Sequence, residues 1–270
     1  QMCIRDRYDN SVSHALEYYI ADFALSRFAA ALGKKKDAEM FYKRSFGYKH
    51  YYSKEFGTFR PILPDGTFYS PFNPRQGENF EPNPGFHEGS SWNYTFYVPP
   101  DVYGLAKLMG GKKPIIDKLQ MVFDEGLYDP ANEPDIAYAH LFSYFKGEEW
   151  RTQKETQRLL DKYFTTKPDG IPGNDDTGTM SSWAIFNMIG FYPDCPGLPE
   201  YTLTTPVFNK VTIRLDPKWY KENELVIETN RTQPGALYIN KVLLNGKKFN
   251  KYHITHDELV HGKYLKFDLK

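Results

Sequence analysis

After Pro199 the apolar residues of this chain change their period, and that change limits the folds open to it. Before Pro199 they recur at helical spacing. Ala15, Leu16, Tyr19, Ile20, Phe23, Leu25 and Phe28 predict an apolar stripe on one helix, closed by Gly33. A second helix is expected through Ala38, Phe41, Tyr42 and Phe46. Helical pattern returns at 103–109, ended by Gly110-Gly111, and again at 136–145, 152–164 and 181–189. Beyond Pro199, Val211, Ile213 and Leu215 alternate, as do Leu225 and Ile227. Leu237, Ile239 and Leu243-Leu244 lead into Asn245-Gly246, the dipeptide of a type I′ hairpin. Helices first and strands last predict an α+β chain with segregated parts, not a parallel α/β sheet. Two helices with a short link are the unit of a bundle or an α/α barrel.

Two stretches break the helical part. Residues 56–86 carry Pro61, Pro64, Pro71, Pro74, Pro82 and Pro84 with Gly57, Gly66, Gly77 and Gly85. A loop that long in a compact protein is functional or disordered, and Phe59, Phe68, Tyr69, Phe72 and Phe80 argue against disorder. The second loop, 167–178, runs into the apolar segment 181–189.

Charge narrows the function classes. Lys+Arg and Asp+Glu number 34 each, so no net field favours nucleic acid or an anionic membrane. The longest basic run, Lys34-Lys35-Lys36, follows Gly33 and reads as a solvated cap where a helix has ended. Cys3 and Cys195 are too few for a disulfide framework or a zinc site. No apolar run approaches the roughly 18 residues that span a bilayer. Residues 1–7 join nothing periodic and are expected to be a non-native leader. Tyr, Phe and Trp number 21, 20 and 4. They serve either a core of large side chains or a site where rings stack on sugar C–H faces, and composition favours the core.

Three segments place chargeable residues where a packed core would not want them: 85–94 with Glu88, Trp92 and Asn93; Asn132-Glu133-Pro134-Asp135; and 170–183 with Asn174, Asp175 and Asp176. Each has a purely structural reading. Ser90 can cap a helix, Glu133-Pro134 can open one, and Asn174-Asp175-Asp176 can be a capping cluster before Ser181. Singly these readings prevail. Together they weaken, because all three segments lie in or beside loops between helices, where sites are built. Carboxylates without Ser–His pairs or phosphate-cradling glycines point to acid/base hydrolysis. Glycosidases use two carboxyl groups, about 5–5.5 Å apart for retention and about 6.5–9.5 Å for inversion. Clustered Asp, Glu and Asn oxygens also suit a hard cation such as Ca²⁺, although no EF-hand spacing occurs.

These segments resemble glycoside hydrolase family 92, the calcium-dependent exo-α-mannosidases. The likeness includes Val98-Pro99 with Asp101, Leu108-Met109-Gly110-Gly111, Asn132-Glu133-Pro134, the string from Gly173 to Trp183, and Gly190-Phe191-Tyr192-Pro193-Asp194-Cys195-Pro196-Gly197. The resemblance implies a partial (α/α)₆ barrel over 8–198 and a β-rich portion over 199–270, with an N-terminal domain and further barrel helices belonging to the rest of the enzyme. It implies Glu88 as general acid and Asp176 as general base of an inverting mechanism. The separation expected for that pair is about 6.5–9.5 Å. Asn174 stands where relatives often carry a second Asp. Asn132, Glu133, Asn174, Trp92, Asn93 and Asp175 are implied as substrate-binding, with Glu133 and Asn132 also near a calcium that, by the same resemblance, holds the sugar's O2 and O3. The implied substrate is a mannose-containing glycan, and the implied location is periplasmic, cell-surface or secreted.

Two departures matter. Asp135-Ile136-Ala137 follows Asn132-Glu133-Pro134 where many α-1,2-specific relatives carry Ser-His-His, which argues against assigning that linkage. Pro99-Pro100-Asp101 stands where relatives have Pro-His-Asp. The alternatives are a non-catalytic carbohydrate-binding fragment and a mannosyl-phosphate hydrolase. Retention of Glu88, which neither needs, speaks against both.

Overall fold

The computed structural model describes residues 10–77 and 84–270. The expected leader at 1–7, Cys3, and Phe80 and Pro82 of the first loop lie outside the described residues. The chain packs as two compact units, Gln1–Tyr138 with Cys195–Leu198, and Ala139–Asp194 with Pro199–Lys270.

The first unit is helical. It contains α1 (Ser11–Ala31), α2 (Lys35–Arg44), the short hairpin β1 (Tyr52–Ser53) and β2 (Thr58–Phe59), α3 (Ser91–Tyr94), α4 (Val102–Leu108) and α5 (Lys112–Asp124), with 3₁₀ turns at Gly47–Tyr51, Pro99–Asp101 and Glu133–Asp135. Gly33, at φ +71°, lets the chain leave α1, and the Lys34 N–H closes on the Ala29 carbonyl at 2.8 Å. The basic run does follow a helix end, but Lys35 and Lys36 also open α2.

The stripe expected on α1 is in fact two faces. Val12, Ala15, Leu16, Ile20 and Phe23 are buried. Leu25 is exposed, and Phe28 is 62% exposed. At about 100° per residue they lie with exposed Tyr18 and Leu32 on the opposite side of the helix. Helix α1 therefore carries apolar side chains on opposite faces, so no single stripe exists to be read.

Helix α5 has no counterpart in the sequence expectations. Gly110-Gly111, at φ +100° and +117°, do end α4, yet the chain turns at once into a new helix. Pro114 is tolerated in its first turn, where the N–H groups have no helical acceptor. Ile115, Ile116, Leu119, Val122 and Phe123 form its buried face. Asp101, in the departure from Pro-His-Asp, caps α4: its Oδ1 accepts from the Gly104 N–H at 3.0 Å and its Oδ2 from the Tyr48 hydroxyl at 2.7 Å. The helix expected at 136–145 is a tighter 3₁₀ helix, Tyr138–Tyr144, at the sequence junction of the two units.

The second unit holds α6 (Glu149–Tyr163), α7 (Thr179–Ile189), α8 (His256–Val260) and the strands β3 (Phe191–Tyr192), β4 (Glu200–Leu203), β5 (Lys210–Arg214), β6 (Glu224–Arg231), β7 (Ile239–Leu244), β8 (Lys247–Phe249), β9 (His253–Thr255) and β10 (Tyr264–Leu269). One sheet has the order β3-β4-β9, the other β5-β6-β10-β7-β8. Asn245 and Gly246 join β7 to β8 with φ +50° and +77°, as a type I′ turn requires. Strand β10 runs parallel to β6 and antiparallel to β7. Its Leu265, Phe267 and Leu269 are fully buried in a core shared with Leu225, Ile227 and Val242. The helix-first, strand-last α+β order is the one expected. Among the described residues no helix is long and apolar enough to cross a membrane.

Phe267, with no exposed surface at the centre of the larger sheet, sets a stability test. Phe267→Ala is expected to destabilise the protein by about 3–5 kcal/mol through lost burial and the cavity left behind, read from denaturant unfolding.

Candidate active site

In the first unit Glu88 sits at the tip of a tightly held turn. Its φ is +50°, in the left-handed region that residues with a Cβ enter at a cost. The turn is fixed from three sides. At the start of α1, the N–H groups of Val12 and Ser13 bind the Gly85 carbonyl at 2.9 and 3.1 Å, and Ser13 Oγ accepts the His87 N–H at 3.1 Å. Gly85 is required there, since a Cβ would come within 2.4 Å of Pro61 Cγ. From α3, the Tyr94 hydroxyl donates to the His87 carbonyl at 3.0 Å. From the Glu133–Asp135 turn, the Asn132 side-chain amide donates to the Glu88 carbonyl. With its backbone gripped, Glu88 projects its side chain to solvent, and His87 Nε2 lies 3.5 Å from Oε1.

Asn93 and Asp135 stand behind this turn. Asn93 Oδ1 accepts from the Ser90 N–H and hydroxyl, both at 2.9 Å, so Ser90 and Asn93 close the start of α3 as the capping reading expects. Asn93 Nδ2 donates to Asp135 Oδ2 at 3.2 Å, and the Asp129 N–H reaches the same oxygen at 2.7 Å. Asp135 has no exposed surface, and its Oδ1 is buried without a partner. Burial holds its carboxyl well above the ordinary carboxylate range, against the Asp129 and Asn93 bonds that pull it down. Gly89 passes between the two asparagines: a Cβ would lie 3.2 Å from Asn93 Oδ1 and 3.3 Å from Asn132 Nδ2.

Two of the three segments singled out in the sequence therefore meet, through Asn132 and Asn93. Glu133 is exposed on the same turn. It also acts electrostatically on Glu17, a residue the sequence reading missed. Glu17 accepts the Tyr97 hydroxyl at 3.0 Å. Desolvation raises the Glu17 pKa, the Tyr97 bond opposes the rise, and the Glu133 charge adds to it. Only the fold brings Glu17 and Tyr97, 80 residues apart, together. No spacing rule would have found them.

A calcium ion takes about six to eight oxygen ligands. Among the described residues no three His, Cys, Asp or Glu side chains converge on one point. Glu133 fits such an ion as one carboxylate of a set that these residues do not complete. Trp92 is half-buried. The Lys118 ammonium lies 4.5 Å from its ring centroid and donates to the Gly57 carbonyl. Burial pushes Lys118 down to about 8.

The third segment belongs to the second unit and divides its labour between adjacent residues. Asp175 caps α7, its Oδ1 accepting the Ser181 N–H at 2.8 Å and its Oδ2 the Ser181 hydroxyl at 2.7 Å. Those bonds lower its pKa. Asp176, Thr177 and Gly178 follow at φ +22°, +58° and +86°. The Asp176 carbonyl accepts the hydroxyls of Thr177 at 2.6 Å and Thr179 at 2.7 Å, while its side chain is exposed, as is that of Asn174. The capping reading thus holds for Asp175 and leaves the Asp176 carboxylate outside the cap.

Comparisons with known proteins bear on the whole chain. Residues 3–270 match the glycosyl hydrolase family 92 catalytic domain. A family 92 α-mannosidase of Bacteroides thetaiotaomicron superposes with a TM-score of 0.87 at 31% identity, over 96% of this chain and 34% of that one. Its complex with mannoimidazole superposes with a TM-score of 0.88 at 30% identity, over 97% and 36%. An inverting family 92 mannosidase of the same organism gives 0.84 at 31% identity, over 96% and 37%. An uncharacterised secreted glycosidase of Arthroderma benhamiae is 26% identical over 277 residues, 96% of this chain and 35% of that protein. The chain therefore spans about a third of the length of these relatives. In solved family 92 structures an (α/α)₆ barrel precedes a β-rich domain, the same order of helices and strands as here. On its sequence and its fold, this chain is a member of glycosyl hydrolase family 92.

Proposed function

We propose that the enzyme to which this chain contributes removes terminal α-linked mannose from glycans, inverting the anomeric centre, with Glu88 as general acid and Asp176 as general base. The observation that carries the reading is the Glu88 turn. A side chain with its backbone forced into the left-handed region, gripped by α1, Tyr94 and Asn132, and left facing solvent has no structural role of its own. Glu88 gives its proton to the leaving glycosidic oxygen as the C–O bond breaks. Asp176 takes a proton from the water whose oxygen bonds to the anomeric carbon. Asn174 hydrogen-bonds that water but cannot deprotonate it. The mannosidase relatives and the mannoimidazole complex support mannose as the sugar. The secreted relative supports an enzyme acting outside the cytoplasm, in the periplasm, at the cell surface or in the medium. Calcium, when bound with Glu133 among its ligands, supplies positive charge to hold adjacent sugar hydroxyls.

In the complete enzyme, Glu88→Gln is expected to abolish most turnover of an α-mannoside with a sugar leaving group. A dinitrophenyl mannoside, whose oxygen departs unprotonated, should lose far less. Asp176→Asn removes water activation, which both substrates need, and should lower both rates by a similar factor of about 10²–10⁴. Identical leaving-group dependence in the two variants would end the acid/base assignment.

Glu133→Ala in the complete enzyme should weaken calcium binding, as measured by calorimetric titration of the metal alone. Unchanged affinity would remove Glu133 from the metal's ligands and leave it a sugar-binding residue.

A further inference from the structure

Asp135 touches neither solvent nor either of the two proposed catalytic carboxylates, yet it is a carboxylic acid in a place that burial makes unfavourable. Its contacts explain its presence. Asp135 Oδ2 holds Asn93 Nδ2 at 3.2 Å and the Asp129 N–H at 2.7 Å, while its backbone N–H, which any residue but proline would supply, closes on the Asn132 carbonyl at 3.1 Å. Asn93 in turn fixes Ser90, two residues after Glu88, and Asn132 holds the Glu88 carbonyl itself. Gly89 fits between the two asparagines with no space for a side chain to spare. The route from the Asp135 carboxyl runs through Asn93 to Ser90 and ends on the backbone that carries Glu88, beside the Asn132 bond to the same turn.

We infer that Asp135 is a positioning residue for the proposed acid: through Asn93 its carboxyl helps fix the left-handed backbone from which the Glu88 side chain projects. The inference rests on the general-acid reading of Glu88. It also gives this departure from the Ser-His-His pattern a role beneath the site, where no substrate reaches. The bonds set a specific requirement. Asn93 Nδ2 and the Asp129 N–H converge on one oxygen of Asp135, and the other oxygen has no partner. An asparagine with its carbonyl oxygen in that place keeps both bonds, and its NH₂ replaces an oxygen that has no hydrogen bond to lose. Alanine keeps neither.

The test uses the complete enzyme and two mannosides, one with a sugar leaving group and one with dinitrophenol. Asp135→Ala is expected to lower kcat on the first by about 10²-fold, the scale of misplacing a reacting group by about 1 Å, and to leave the second nearly unchanged. Asp135→Asn should restore the loss. In a Glu88→Gln background, Asp135→Ala should add no further loss on the first substrate, because the group it positions is already gone. Should Asp135→Ala not fold, Asp135→Leu, of similar reach and without a polar group to desolvate, is read in its place. Equal losses on both substrates, a full additional loss in the Glu88→Gln background, or a folded Asp135→Asn as impaired as Asp135→Ala would each overturn the inference. If Glu88→Gln itself lost both activities equally, the acid reading would fall and the inference with it. If Glu88→Gln discriminates between the substrates and Asp135→Ala does not, only the inference falls.

Discussion

The hydrogen bond from the Asn132 side chain to the Glu88 carbonyl spans 44 residues of sequence, and the left-handed turn at Glu88 depends on it. A glutamate at φ +50° relaxes toward the ordinary β or α regions unless something outside its own turn holds it. In the proposed role the hold must also be rigid, because a proton donor that wanders loses the benefit of being placed. Backbone carbonyls make suitable anchors, since gripping them leaves the side chain with its own rotamers and its own access to solvent. The same logic governs His87, whose carbonyl and N–H are bound by Tyr94 and Ser13 while its ring stays exposed.

The second unit solves a similar problem by different means. Around Asp176 the chain passes through three successive positive φ angles with only Gly178 free of a Cβ. Asp175 anchors that bend to the first turn of α7 with both of its carboxylate oxygens, at the end of the helix dipole where negative charge is favoured. Two neighbouring aspartates thus face opposite demands. One commits both of its carboxylate oxygens to capping a helix, and the other keeps its carboxylate exposed.

How far the sequence announces this varies with the range of the interactions. Local signals read well: Gly33 ending α1, Asn245-Gly246 turning β7 into β8, Ser90 capping α3, and Asp175 capping α7. Helix α1 was legible as a helix, but not in which residues it buries, because apolar side chains line both of its faces. Helix α5 was hidden by Gly110-Gly111 and Pro114, which look like a long interruption and are a two-residue link with a tolerated first-turn proline. At the site, the three segments stand out through residue type alone. Their pairing does not, since Asn132 with Glu88, Asn93 with Asp135, and Glu17 with Tyr97 are joined by tertiary packing. The roles of Trp92, under Lys118, and Asp135, beneath the turn, likewise belong to packing and to no local pattern.

The strand order of the larger sheet has a consequence for how the second unit acquires its structure. Strands β5 and β6 form one local antiparallel pair and β7 and β8 another, but neither pair touches the other except through β10. Each pair can zip up from a nearby turn. The sheet exists only once β10, later in the chain than all four, slides between them and matches registers on both sides at once. Until then two amphipathic ribbons each expose an open edge. Closing the gap means one parallel and one antiparallel alignment over long sequence separations, which are slow to form. During that interval the open edges of β6 and β7 are where this unit is most exposed to pairing with another chain.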